Sequence, residues 1–168
     1  METIQVAAEA EALDQTEFIS IDEIGETSQL SKVYVLAHGI SGDKNVYAQD
    51  PTQKKSAAEV VSEIKALIKI DQVLDIRLTS CQSADDRTIT SFEKTELDEA
   101  RKNSCGNISL AKHVSNECKN QKVNAKVHGY HGNGVYEFLR FYHKTRKPFG
   151  DSKLRIRASK ARAEFIPN

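Results

Sequence analysis

The chain predicts an α/β fold, a three-layer α/β/α sandwich with a mostly parallel central sheet and a C-terminal β extension. Three observations predict it. Two apolar runs of strand length, residues 33–37 and 74–79, flank a stretch of helical periodicity, which is the sequence form of a crossover between parallel neighbours. A second amphipathic stretch followed by a third apolar run, residues 123–130, repeats the arrangement. The 168 residues, 39% apolar and 29% charged, suit one domain spanning 1–168 that buries roughly 70% of the surface its unfolded form exposes.

Each element has its own warrant. Residues 1–15 mix Ala and Glu without a start signal and are expected to be frayed or loosely helical. Residues 18–21 alternate apolar with polar and predict a first strand; 25–30 are turn-like. Five consecutive apolar residues at 33–37 predict a strand buried on both faces. The connection 38–55 is rich in Gly, Ser, Asp and Asn and contains Pro51. Ala57, Val60, Val61, Ile64, Leu67 and Ile68 then recur at helical spacing, and Ser56 with Glu59 forms an S-x-x-E capping box.

After the strand at 74–79, residues 82–107 are polar and charged and predict an exposed loop with a short helix near 92–102. Leu110, Ala111, Val114 and Cys118 mark a second amphipathic helix, ahead of the strand 123–130. Residues 135–143 and 153–158, around a turn at 148–151, predict a basic hairpin, although the first segment also suits a helix.

The formal net charge is zero, yet residues 1–31 hold eight acids and no Lys or Arg, while the basic extension 138–168 holds nine bases against Asp151 and Glu164. No run of 18 apolar residues occurs, and the acidic N-terminus lacks the charged-then-apolar pattern of a secretory signal. A soluble protein made in the cytoplasm, without a membrane span, is expected. Three cysteines, Cys81, Cys105 and Cys118, without C-x-x-C spacing argue for reduced thiols rather than disulfides or a structural zinc site. No metal is expected, because two histidines with Cys81 match none of the common zinc spacings.

The chemistry gathers at strand ends. Ligands of open α/β sheets bind outside the carboxyl ends of parallel strands. The first run ends on His38-Gly39 and the second on Ser80-Cys81, so the topology delivers an imidazole and a thiol to one edge. His128 and His131, at the end of the third run, read as loop histidines, or as further lining of the same crevice. Cys105 and Cys118 read as structural.

The segments VYVLAHG and DIRLTSC, with 43 positions from His38 to Cys81, resemble the caspase-like (clan CD) cysteine peptidases, which include caspases, gingipains, clostripain and the self-cleaving protease domains of bacterial toxins. The resemblance covers about residues 30–85. It implies Cys81 as nucleophile, His38 as the group that activates it or protonates the leaving amine, and the backbone N–H groups of Gly39 and Cys81 as the oxyanion hole. A protein or peptide substrate follows. Thr79-Ser80 replace the Gln-Ala that precedes the caspase cysteine, and no caspase specificity arginine carries over. Asp85 and Asp86 stand where a gingipain-like enzyme would read a basic side chain. The compact length resembles a bacterial effector or toxin-type virulence protease, which implies delivery into a host cell without a cleaved signal peptide. No cofactor is expected beyond the one this analogy implies, inositol hexakisphosphate held by the basic C-terminal hairpin.

Rival patterns fail on specifics. Cys81 to Thr88 has the C-x5-R-T spacing of tyrosine-phosphatase loops, but lacks glycine and places Asp85 and Asp86 where a phosphate would sit. Residues 38–42 match the H-G-x-x-G loop of α/β-hydrolases, but no G-x-S-x-G follows. The basic C-terminus reads as a solvated face rather than a nucleic-acid surface. The alternative function is a catalytically silent interaction domain of the same fold, whose long loops 38–55 and 82–107 bind a partner.

Overall fold

Residues 5–10, 19–20, 30–48, 50–67, 74–102, 106–137, 142–148 and 155–167 are described by a computed structural model. The chain runs through β1 (Gln5–Ala10), β2 (Ile19–Ser20), β3 (Leu30–Leu36), β4 (Asn45–Tyr47), β5 (Lys54–Ser56), α1 (Ala57–Leu67) and β6 (Leu74–Leu78). It continues with α2 (Lys94–Glu99), α3 (Leu110–Asn120), β7 (Ala125–Tyr130), β8 (Asn133–Glu137), β9 (Tyr142–Arg146), β10 (Arg155–Arg157) and β11 (Arg162–Phe165). Cys105, residues 11–18 and most of the 148–151 turn lie outside the described residues.

The apolar runs make the middle of a six-stranded sheet ordered β11-β7-β6-β3-β1-β2. β3, β6 and β7 are mutually parallel, as the crossover pattern requires; β1 and β11 are antiparallel to their neighbours. Since β2 is antiparallel to β1, it runs the same way as the parallel three.

Alternation decides which face is apolar. Val33 and Val35 of β3, Leu74, Ile76 and Leu78 of β6 and Val127 of β7 join Val60, Val61 and Ile64 of α1 and Leu110, Ala111 and Val114 of α3 in one core. Each of the larger side chains contributes about 1.5–3 kcal/mol by leaving water. The expected capping box starts α1: the Ser56 N–H donates to Glu59 Oε2 (2.7 Å) and the Glu59 N–H to Ser56 Oγ (3.3 Å). The two long helices touch each other, with Gln121 Nε2 donating to the Ala58 carbonyl at 2.9 Å and Ser62 Oγ lying 3.0 Å from Gln121 Oε1. They therefore share one face of the sheet.

The other face is polar. Tyr34, Arg77, His128 and Glu164 stand in register across β3, β6, β7 and β11. Arg77 bonds the Tyr34 hydroxyl (3.2 Å) and Asp75 (2.8 Å), and His128 Nδ1 lies 2.7 Å from Asp75 Oδ1. Burial works to raise the Asp75 carboxyl, but Arg77 and His128 outweigh it and hold it below the usual range. The described residues thus form a mixed α/β fold with long helices on one face, where the sequence had led us to expect them on both.

Other expectations change as well. Residues 5–10, read as frayed or helical, are a strand, because pairing with β3 outweighs the local Ala/Glu composition. The loop 82–107 is not exposed at its start, since Ser83, Ala84, Asp85, Asp86 and Ile89 are buried. The helix expected near 92–102 is shorter, at Lys94–Glu99. The C-terminal extension is β, with β8, β9 and β10 in a three-stranded antiparallel sheet. β11, unforeseen, returns to edge β7. No helix among the described residues is long and apolar enough to cross a membrane.

Candidate active site

Three segments meet at the carboxyl ends of the parallel strands: 37–44 after β3, 79–89 after β6, and 131–132 after β7. The second leaves the sheet through Thr79, whose N–H and Oγ1 both donate to the Val35 carbonyl at 3.0 Å. Ser83 Oγ then donates to the Leu78 carbonyl (2.6 Å) and accepts from the Tyr130 N–H (2.9 Å), which closes the turn that carries Cys81 back onto the sheet. Gln82 follows the thiol at φ +54°, in the left-handed region that a non-glycine residue rarely adopts. Its N–H donates to the Gly132 carbonyl at 2.7 Å. Cys81 itself is half-buried.

The glycines of the H-G-x-x-G match have a packing role. A Cβ on Gly39 would lie 2.5 Å from the Cys81 carbonyl oxygen and 3.1 Å from Ser80 Cβ. Only a bare α-carbon lets the β3 exit approach the thiol turn so closely. Gly42, at φ +71°, sits against the Asp86 carbonyl, 2.6 Å from where its Cβ would stand, and donates its N–H to the Asp85 carbonyl at 2.9 Å. Ser41 Oγ and Thr88 Oγ1 add a contact at 3.1 Å. The segment bearing His38 and the segment bearing Cys81 are thus packed together, as the topology predicted.

His38 is solvent-exposed, and its backbone is held by a two-way bridge to Tyr47: His38 N–H to Tyr47 O at 2.8 Å and Tyr47 N–H to His38 O at 3.0 Å. The Tyr47 hydroxyl donates to Asp43, which also accepts from the Asn45 N–H and Nδ2, both at 2.9 Å. Among the described residues, no hydrogen bond joins His38 to Cys81, and none uses the N–H of Gly39 or Cys81.

Asp85 and Asp86 are corrected. Both have no exposed surface, so neither stands on a surface that reads substrate. Asp85 instead accepts from His131 Nδ1 (2.5 Å) and the Gly132 N–H (2.9 Å), and His131 is buried with it. Sequence reasoning named both partners of this contact without joining them. His128, also read as a loop histidine, belongs to the polar sheet face.

Among the described residues, two clefts lie near these segments, and Cys81 lines neither of the two. One, of about 490 Å³, lies between residues 40–44 and 106–108, with His113 at its wall; burial, and then Lys44, pull the His113 imidazole below its usual range. The other, of about 250 Å³, lies among Phe92, Lys94, Leu97, Asp98, Arg101, His131, Lys160, Arg162 and Ala163, with Arg101 paired to Asp98 at 2.7 Å. Arg87 is committed to Glu96 by bonds of 2.8 and 3.1 Å, which leaves it occupied where a phosphatase loop would need it. The same pairing, with a bond from the Thr90 N–H, lowers Glu96 to about 2. Burial pushes the Cys118 thiol up to about 12, as befits an inert core cysteine. Among the described residues no group of three or more His, Cys, Asp or Glu is placed to hold a metal ion. Comparison with protein-family models, curated proteins and solved structures found no match to this chain.

Proposed function

We propose that the chain is a cysteine peptidase of the caspase-like class, an effector or toxin-type protease that cleaves a protein or peptide. The reading is carried by one contact, the seating of Gly39 on the Cys81 carbonyl, which brings the residue next to His38 against the thiol turn. The Cys81 thiolate attacks the scissile carbonyl carbon, and the carbonyl π pair moves to oxygen. The N–H groups of Gly39 and Cys81 are the donors for that oxyanion, each contributing on the order of 3 kcal/mol. His38 gives a proton to the leaving amine as the C–N bond breaks, and water then hydrolyses the thioester. A thiol is nucleophilic enough that an imidazole without a third carboxylate suffices. This class carries a three-layer α/β/α form, of which the described residues supply the sheet and one helical layer. The analogy also implies inositol hexakisphosphate as an effector, for which Lys94, Lys160 and Arg162 of the smaller cleft are the candidate cations beside the Arg101–Asp98 pair.

The test is competitive alkylation of native protein with iodoacetamide, mapped by mass spectrometry. Cys81 is expected to label at least tenfold faster than Cys118 at neutral pH, and His38→Ala to slow Cys81 alone. Equal labelling of the two, or a rate indifferent to His38, removes the peptidase reading.

A further inference from the structure

We infer that Asp85 and His131 are a positioning pair that sets the Cys81 turn against the segment carrying His38; this rests on the peptidase reading above. Asp85 lies four residues beyond Cys81 with 0% of its surface exposed, and His131 is 2% exposed. An ionised carboxylate only accepts, so the 2.5 Å contact is a His131 Nδ1–H donating to Asp85 Oδ1, while Oδ2 accepts from the Gly132 N–H at 2.9 Å.

The imidazole is mounted on a fixed backbone. The His131 carbonyl accepts from Thr145 Oγ1 (2.6 Å) and its N–H donates to the Ala161 carbonyl (2.9 Å). The main chain of Asp85 faces the other way. Its N–H donates to the Gln82 carbonyl (3.0 Å) and closes the turn behind the thiol, and its carbonyl accepts from the Gly42 N–H (2.9 Å). One residue therefore ties together the ends of β3, β6 and β7, and Cys81 and His38 stand on two of the tied segments.

Stability alone does not explain a carboxylate at this place. A buried carboxylate brings a desolvation penalty that its hydrogen bonds only offset, and an apolar side chain filling the same space is often as stable. Directional bonds instead define where the turn sits. Placement matters in this chemistry, since a misplacement of about 1 Å can slow a reaction by about 10²-fold.

The test is a double-mutant cycle on alkylation of Cys81 by iodoacetamide. Asp85→Asn keeps the volume but leaves one acceptor oxygen where two N–H groups, of His131 and Gly132, converge, so one of the two bonds that set the turn is lost. His38→Ala is expected to slow Cys81 about tenfold in the unaltered protein and less than about twofold in Asp85→Asn, because the imidazole no longer stands where it acts. A role in folding alone would lower the thermal midpoint of Asp85→Asn and leave the His38 effect intact. That outcome, the full His38 effect surviving in folded Asp85→Asn, overturns the positioning pair and leaves the dyad standing. A His38→Ala change without effect in the unaltered protein overturns the dyad and the pair with it. Should Asp85→Asn lack a cooperative thermal transition, the same cycle on His131→Phe, which keeps a ring in the same space and removes the N–H that donates to Asp85, decides by the same criteria.

Discussion

The two segments that carry the candidate dyad are built in opposite ways. After β3 the chain is open to solvent: His38 is exposed, Ile40 is 57% exposed, and the segment is held largely by main-chain bonds to Tyr47 and Asp85. After β6 the chain is core: Ser80, Ser83, Ala84, Asp85, Asp86 and Ile89 are buried, and side chains as well as backbone hold it. The thiol's place is set by packing, and the imidazole's by a surface loop that glycine allows to lie close. Stability and reactivity should therefore respond differently to changes in the two segments.

The strongest way to break that contrast is at Gly129, in β7 beneath the thiol turn. An added Cβ would meet Ala111 Cβ at 2.8 Å, the Ala84 nitrogen at 2.9 Å and the Ser83 carbonyl carbon at 3.0 Å, two of them backbone atoms of the packed segment. Gly129→Ala is expected to destabilise by about 2–3 kcal/mol in urea unfolding. A change of less than about 0.5 kcal/mol would mean that the second segment yields as easily as the first.

Gly39→Ala probes the joint between them. Its Cβ meets the Cys81 carbonyl, but the partner that can move is the exposed segment, so a loss of about 1 kcal/mol is expected. Cys81 alkylation should fall by about tenfold, since His38 moves with the segment. Unchanged alkylation would separate the position of Gly39 from the chemistry of Cys81.

The smallest effect is expected from Glu96, which holds Arg87 and Thr90 at the far end of the buried segment. Its carboxyl is lowered in the folded chain from 4.5 to about 2, so its contribution is complete above pH 4.5 and drains away as pH falls toward 2. Because the pair is partly open to solvent, about 1 kcal/mol is expected at neutral pH. Glu96→Gln should be less stable than the parent at pH 7 and converge on it near pH 2. A constant gap across that range would place the effect in packing rather than charge.

The elements with local periodicity, β3, α1, β6, α3 and β7, are legible in the sequence, because burial on one face writes itself into every second or every third and fourth residue. β1 was not, since QVAAEA carries helix-forming residues and becomes a strand only through β3, which begins 20 residues after it ends. The edge strand Arg162–Phe165 hid in a basic stretch for the same reason. Asp85 and Asp86 read as exposed because they are charged, and Asp85's partner lies 46 residues away. One signal was present: His131-Gly132 ends the third apolar run just as His38-Gly39 ends the first. The alternative reading of His131 as lining of the same crevice followed from that match and pointed to the junction, though not to Asp85.

The polar row on the second face of the sheet also serves as a register gauge. Strands joined by long crossovers get no help from a tight turn in choosing how far to slide, and a slip of one residue turns every side chain to the opposite face. Such a slip between β6 and β7 would set Arg77 beside Val127 or Gly129 instead of His128, separate Asp75 from its histidine, and turn charges toward the helices. Only one alignment pairs Tyr34, Arg77, His128 and Glu164 across four strands, and that alignment also brings the strand ends level. Polar groups on one side of the sheet thus decide that the chemistry on its rim lines up.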